Sequence, residues 1–269
     1  MTSPAPAPAA VRFDLRQTVV DDVLDRVQKA LHLHLDPDGS VRKRRSIGMR
    51  SDRGTWVRVE CRGLERLDGQ GWGLEAAMVL PDAIPRPKWF CGISWADPVR
   101  QVLWRADETA LAAGTPIGRA THATQLNDSW WRRLHSTLDA LDGCRTARQA
   151  TPDCEPISTR RIATDIAARF PGIDATVPGD QWTTAHADFT WQNLTGPTLS
   201  VLDWEDFGTA PRGLDAATLW FASLTQPGLA ERIRTTRGEL GTRTGQLMML
   251  WRCAQFLTWA GPDEPVYDA

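Results

Sequence analysis

Asp188, Asn193 and Asp203 are residues whose types and spacing suit phosphoryl transfer. Residues 186–194 read His-Ala-Asp-Phe-Thr-Trp-Gln-Asn-Leu, a Gly-Pro turn follows, and an expected apolar strand over 199–202 leads into Asp203-Trp204-Glu205-Asp206. A loop with His-x-Asp and a following Asn, then a strand ending in an acid cluster, gathers three oxygen-bearing side chains. Phosphoryl transfer asks the protein for little covalent work, but a hydroxyl, a nucleotide and Mg²⁺ must be held in line. Asp188 is expected to accept the hydroxyl proton. Asn193 and Asp203 are hard oxygen ligands of the kind Mg²⁺ takes, with nucleotide phosphates and water in its other positions.

The order D-x-x-x-x-N, strand, D matches the catalytic and metal loops of the kinase fold. Over residues 184–222 the sequence resembles the aminoglycoside phosphotransferase and choline kinase family of small-molecule kinases. Their signature is H-x-D-x-x-x-x-N, an apolar strand, and D-W-E or D-F-E; Pro211 and Asp215 extend the match. The resemblance implies an α+β, protein-kinase-like two-lobed fold, with a small β-rich N-terminal lobe and a mostly helical C-terminal lobe. It implies an enzyme that moves the γ-phosphoryl of ATP or GTP, with Mg²⁺, onto a hydroxyl of a small acceptor. His186 is grouped with Asp188 in the catalytic loop, which it is expected to orient by hydrogen bonding. Glu205 is expected to support a second metal or orient the acceptor. The first acceptor implied is an aminoglycoside-like antibiotic. A metabolite such as choline, a sugar or an amino alcohol is the alternative, and a pseudokinase that binds without turnover is a third reading. The intact Asp-Asn-Asp set speaks against the third.

Other elements must position these residues. Val20, Val23, Val27 and Leu31 fall at three- and four-residue intervals and predict an amphipathic helix over 14–33. His32 and His34 at its end are read as surface residues. After the turn signal Asp36-Pro37-Asp38-Gly39, strands over 40–51 and 55–61 are expected, joined by Asp52-Arg53-Gly54. Period two puts Trp56, Arg58 and Glu60 on one face and Val57, Val59 and Cys61 on the other, buried one.

In the resembled families a basic residue on the third strand touches nucleotide phosphates and pairs with a helical Glu. Arg58 is the candidate, with Arg62 behind it, and Glu75 in an expected helix over 71–80 is its candidate partner. An exposed strand Arg and a solvated helical Glu are the alternatives. No G-x-G-x-x-G loop is present. Residues 42–48 hold one Gly and four basic side chains, so phosphates are expected to meet side chains rather than a backbone cradle. Strands over 88–95 and 99–104 come next, and residues 105–108 resemble the hinge.

Gly114-Thr115-Pro116 marks the expected boundary between a nucleotide-binding lobe of 13–113 and a catalytic and acceptor-binding lobe of 114–269. Residues 1–12 are read as a disordered Pro/Ala tail without the marks of a secretory signal. Helices are expected over 129–141, 158–170, 215–224, 228–240 and 243–259. The last three would build the acceptor pocket, with Trp220, Trp251, Trp259, Asp206, Asp263, Glu264 and Asp268 as candidate contacts.

Composition sets the outer bounds. With 269 residues and 42% hydrophobic content the chain can fill a core of one large domain or two lobes. Its net charge of −2 gives no pull toward nucleic acid or an anionic membrane, and no apolar run reaches the roughly 18 residues of a membrane span. Five cysteines without a C-x-x-C pair argue against a disulfide framework and a zinc site, and point to the cytoplasm. Thirteen Trp against one Tyr are read mostly as core, though an aromatic pocket for an apolar or cationic ligand is the other use of such a surplus.

Overall fold

The computed structural model describes residues 14–64, 73–152 and 155–259, with the backbone alone at Leu74, Glu75 and Trp259. The expected tail, Cys154, Asp263, Glu264 and Asp268 lie outside these residues, as do the side chains of Glu75 and Trp259. The chain divides into two compact units: residues up to 67 with Lys88–Leu111, and residues 68–87 with everything from Ala112 onward.

In the first unit the apolar stripe forms helix α1 (Asp21–Leu31), and Val20, Val23, Val27 and Leu31 are all buried. The helix starts later than its periodicity suggests. Thr18 first closes a turn on Asp14, through both its N–H and its hydroxyl. Asp21 and Asp22 then supply the negative charge that a helix N-terminus favours. His32 and His34 are exposed as expected.

Five antiparallel strands follow: β1 (Leu35–Arg42), β2 (Ser46–Ser51), β3 (Thr55–Gly63), β4 (Trp89–Asp97) and β5 (Val102–Ala110), in the order β1-β2-β3-β5-β4. The expected single strand over 40–51 is therefore two. The turn signal at 36–39 lies inside β1 as an irregularity in its register with β2, because Gly39 takes a positive φ without reversing the chain. The Asp-Arg-Gly hairpin is present, with the Gly54 N–H bonded to the Ser51 carbonyl at 3.0 Å. Residues 105–108, read as a hinge, continue β5 and pair with both β3 and β4. The ladder with β3 continues to Ala110, opposite Thr55.

One face of this sheet is the core of the first unit. Ile47, Met49, Val57, Val59, Cys61, Trp104 and Ala106 pack there with the buried side of α1. The other face is polar. Register places Gly48, Arg58, Asp107 and Gly92 in one row across it. Small residues are needed at both glycines: a Cβ on Gly92 would stand 2.4 Å from Asp107 Oδ1, and one on Gly48 would stand 2.2 Å from the Trp56 ring.

The second unit begins with α2 (Leu74–Val79), and Arg86 closes the turn just past its C-terminal end, donating to Leu80 O at 2.6 Å and to Pro81 O at 2.9 Å. It continues through β6 (Thr115–Pro116), α3 (Ala120–Ala123), α4 (Asp128–Gly143), α5 (Thr159–Arg169), β7 (Trp182–Ala185), β8 (Thr195–Gly196), β9 (Gly208–Pro211), α6 (Leu214–Phe221), α7 (Pro227–Thr236) and α8 (Arg243–Trp259). Two-stranded pairs form between β6 and β8 and between β7 and β9.

Helices α4 and α5 start where their caps say they should. Asn127 Oδ1 accepts from the Trp130 N–H at 3.0 Å, and Ser158 Oγ accepts from the Arg161 N–H at 3.1 Å. Trp130, Leu134, Leu138 and Leu141 of α4, Ile162 and Ile166 of α5, and Leu247, Met248, Trp251 and Ala254 of α8 fill the core. Leu224 and Leu257, expected inward, are exposed, since each lies at or beyond the end of its element's buried stripe. The expected strand over 199–202 is a single bridge between Leu194 and Val201. Its backbone groups are spent on loops instead, with the Val201 N–H on Pro85 O and the Leu202 N–H on Asn193 O. Among the described residues no helix is long and apolar enough to cross a membrane.

The packing of Trp56 over Gly48 is testable. Gly48→Ala is expected to lower unfolding free energy by roughly 1–3 kcal/mol, the usual cost of forced overpacking, read from urea unfolding. In a Trp56→Ala background the same change should cost almost nothing. An equal cost in both backgrounds would show that the two positions do not meet.

Candidate active site

His186, Asp188, Asn193 and Asp203 are brought together within the second unit by two short loops that share hydrogen bonds. The loop that carries His186 and Asp188 leaves β7 at Ala185, where the chain must turn sharply. Ala187 does so with a left-handed φ of 70°. Just before that turn two consecutive amides face one carboxylate: the His186 N–H reaches Asp215 Oδ2 at 2.7 Å and the Ala187 N–H reaches Oδ1 at 2.9 Å. Asp215, in the first turn of α6, thereby holds the loop from behind. Burial pushes its carboxyl up, and the two amide donations pull it back.

His186 is fully buried, and both of its ring nitrogens are used on backbone. Nδ1 accepts from the Asp188 N–H at 3.2 Å, so Nε2 carries the proton and donates to the Leu202 carbonyl at 2.8 Å. The ring meets Phe189 and Trp204 edge to face, with centroids 5.8 and 4.7 Å away. These contacts fix the ring and occupy both nitrogens in orienting the loop.

Asn193 ends a short 3₁₀ turn, Trp191–Asn193. Its Nδ2 donates to the Asp188 carbonyl at 2.9 Å and to Asp188 Oδ2 at 2.8 Å. This assignment of the amide turns the Asn193 side-chain carbonyl away from Asp188. Asp203 follows Leu202, whose N–H is on Asn193 O and whose carbonyl takes the His186 proton. Leu202 thus ties the catalytic loop to the metal-loop candidate. Asp203 itself has φ 63° and ψ 62°, a left-handed conformation that costs a non-glycine residue free energy and recurs at functional sites.

Asp188 is mostly enclosed. Burial pushes its carboxyl up from the ordinary 3.8, the nearby Asp203 charge adds to the rise, and the Asn193 amide opposes it. Asp203 and the Asn193 side-chain carbonyl are hard-oxygen donors of the kind a divalent cation takes. Among the described residues no group of three or more His, Cys, Asp or Glu could hold a metal by itself. An ion here would take its remaining ligands from nucleotide phosphates and water.

The remaining candidates are placed as follows. Glu205 is half-buried in the 3₁₀ turn Trp204–Asp206, and the N-terminal end of α2 lies against it: a Cβ on Gly73 would stand 3.5 Å from the Glu205 nitrogen. The backbone puts Glu75 two residues beyond Gly73. Arg58 belongs to the first unit, on the polar face of β3, at 3.3 Å from Glu60. Glu60 also takes Arg62 Nε at 2.8 Å, and both of these residues are buried.

The sequence reading left Glu60 without a role, although alternation from Arg58 through Glu60 to Arg62 puts all three on one face. Of the acceptor candidates, Trp251 is fully buried with its Nε1–H on Asp165, as scaffold. Asp206 is buried and accepts from the Thr151 hydroxyl at 3.1 Å. Trp220 is half-buried on α6.

The hold of Asp215 on the loop gives a stability prediction. In Asp215→Asn one oxygen acceptor becomes a donor facing an amide N–H, leaving a buried donor unsatisfied. The loss is expected at roughly 1–3 kcal/mol, measured by denaturant unfolding. Unchanged stability would mean the carboxylate is not holding these amides.

No protein-family model matches the chain, and no curated protein matches it in sequence. Solved structures match it in three dimensions. An amicoumacin kinase in complex with AMP-PNP and Ca²⁺ is similar over 92% of this chain and 89% of its own, with a TM-score of 0.58 at 12% identity. A choline kinase from Streptococcus pneumoniae is similar over 89% of this chain and 87% of its own, with a TM-score of 0.54 at 14% identity. A choline/ethanolamine kinase family protein from Mesorhizobium loti is similar over 89% and 83%, with a TM-score of 0.53 at 14% identity. What is shared at such identities is the fold, as the sequence resemblance implied: this chain has the α+β protein-kinase-like fold of small-molecule kinases.

Proposed function

We propose that the protein is a small-molecule kinase that transfers the γ-phosphoryl of ATP or GTP to a hydroxyl group of a small acceptor. The observation that carries this reading is the joining of Asp188, Asn193 and Asp203 through Leu202 and His186 in a chain with the small-molecule kinase fold. Asp188 is the base that accepts the hydroxyl proton. Asn193, through its side-chain carbonyl, and Asp203 hold Mg²⁺, with Glu205 beside them, and His186 keeps the loop in place. Bound Mg²⁺ supplies charge neutralisation along the triphosphate. Arg58, on the first unit, is the candidate phosphate contact; the side chain of Glu75 lies outside the described residues. The acceptor reading favoured by resemblance is an aminoglycoside-like antibiotic, with choline, a sugar or an amino alcohol as the alternative class. A cytoplasmic location and the absence of nucleic-acid and membrane partners go with this reading.

The direct test is mass spectrometry on pooled aminoglycosides, nucleosides, amino alcohols and sugars incubated with protein, Mg²⁺ and ATP or GTP. A gain of one phosphoryl mass on one acceptor is expected. A blank with both nucleotides, together with no Mg²⁺-dependent nucleotide hydrolysis sensitive to Asp203→Ala, would overturn the reading in favour of a non-catalytic binding protein.

Two predictions concern the base. Asp188→Asn should cut turnover by roughly a hundredfold or more while nucleotide binding by calorimetry stays near wild type; activity close to wild type would remove Asp188 from the mechanism. The pH profile carries the second. A raised carboxyl pKa means that, on acidification, the ionised base is lost at a higher pH than an exposed Asp would lose it. The acid limb of kcat/KM, which reports the free enzyme, is therefore expected above 3.8. A limb at or below that value would contradict the buried, Asp203-facing environment.

A further inference from the structure

Residues 146–151, in the connection between α4 and α5, run alongside residues 205–209 and are bonded to them at Thr146, Arg148, Ala150 and Thr151. Thr209 donates its N–H to the Arg148 carbonyl at 2.7 Å and its hydroxyl to the Thr146 carbonyl at 3.1 Å. The Ala150 N–H returns a bond to Thr209 O at 3.1 Å, and Gln149 and Thr209 pair as a parallel bridge. Further along, the Thr151 N–H reaches Asp206 O at 3.0 Å, and the Thr151 hydroxyl reaches Asp206 Oδ1 at 3.1 Å. The Arg148 guanidinium donates to the Glu205 carbonyl and lies over the Phe207 ring, 5.5 Å from its centroid.

The approach is close enough to dictate residue type. A Cβ on Gly208 would stand 2.4 Å from the Ala150 nitrogen and 2.5 Å from the Gln149 carbonyl carbon, so only glycine lets the two backbones meet here. Ile157 and Gln149 fasten the far side of the connection, through the Ile157 N–H on Ala150 O and the Gln149 amide on Ile157 O.

We infer that residues 146–151 are a strap that sets the position of the metal loop, and that Arg148 and Thr151 are positioning residues for the cation site, acting through Glu205 and Asp206. The inference rests on the metal role proposed above for Asp203. The reason for a strap lies in the loop itself. Asp203 is in a left-handed conformation, and the 3₁₀ turn behind it is three residues long, so the loop has few hydrogen bonds of its own to keep the Asp203 carboxylate at one place. The strap supplies them to Glu205, Asp206 and Thr209. Groups that orient a ligand without touching the ion are known to matter: losing one typically weakens metal affinity by roughly ten- to a hundredfold.

The test uses the full chain and Mn²⁺ as the probe ion, with binding followed by electron paramagnetic resonance in the presence of AMP-PNP. Arg148→Met keeps a stem to cover Phe207 but removes the guanidinium. Thr151→Val keeps the shape and removes the hydroxyl. Each is expected to weaken Mn²⁺ binding by roughly ten- to a hundredfold, with AMP-PNP binding in EDTA unchanged; Arg148→Lys should restore part of the loss, and raising Mg²⁺ should recover turnover. A purely structural role would lower the unfolding temperature without this dependence on metal concentration. Folded variants that bind Mn²⁺ within about twofold of wild type would overturn the strap, and Thr151→Val serves if Arg148→Met does not fold. Wild-type protein whose Mn²⁺ binding is absent, or is indifferent to Asp203→Ala, would overturn the metal-loop assignment and the strap with it.

Discussion

Asp215 receives the amide hydrogens of two adjacent residues, and the geometry of the candidate site follows from that pairing. The chain turns at Ala187, whose left-handed φ redirects the next amide, that of Asp188, to the His186 ring. That conformation costs about 1–3 kcal/mol, while each hydrogen bond to a charged acceptor contributes about 1.5–3 kcal/mol. The two bonds oppose the strain while burial of the Asp215 charge works against them, and the loop is held in a shape an isolated peptide would avoid. With His186 and Ala187 fixed, the next residue is fixed as well, because the Asp188 N–H is on the His186 ring and the Asp188 side chain is on the Asn193 amide.

A second consequence is electrostatic. Asp188 and Asp203 are near enough for each negative charge to raise the cost of the other, inside a region where burial already disfavours charge. A fold gains nothing in stability from such an arrangement. A divalent cation between them and a polyphosphate reverses its sign, since the same charges become ligands and counter-charge. The strain at Ala187 and Asp203 and the like-charge proximity are thus two local costs at one place, and a site that must bind a highly charged cosubstrate accounts for both.

Much of this was legible in the residues, and the places where reading failed have physical causes. The spacing of Asp188, Asn193 and Asp203 identified the loops, and α4, α5 and α8 follow from apolar periodicity with capping residues at Asn127 and Ser158. The strand over 199–202 was not legible, because its apolar run is buried by packing while its backbone bonds go to Pro85 and Asn193 rather than to a ladder. Residues 105–108 carry four polar or small side chains, which read as a connection, yet they belong to β5 because alternate positions face opposite sides of the sheet. Glu60 and Arg62 look like surface charges in sequence; only burial of both beside Arg58 shows that this face of β3 is organised by ion pairs. Nothing local in Thr146 to Thr151 signals its role, since a segment that bonds a distant loop through its backbone leaves no pattern in side-chain types.

The metal-loop candidate is short, and its position is set from outside. His186 grips Leu202 from the catalytic loop, Pro85 takes the Val201 N–H, and the N-terminal end of α2 lies against Glu205. These contacts come from segments far apart in sequence, and all converge within a few residues of Asp203. Arg86 binds the carbonyl of Leu80, the C-cap residue of α2, while Pro85, one residue earlier, bonds Val201, so the helix that carries Glu75 and the loop that carries Asp203 share an anchor. A displacement of α2 would therefore be transmitted to Asp203 through three bonded residues rather than through a flexible connection. In a kinase-like chain without a glycine-rich phosphate loop, this coupling gives the acidic cluster a rigid place in the fold by packing and backbone hydrogen bonds.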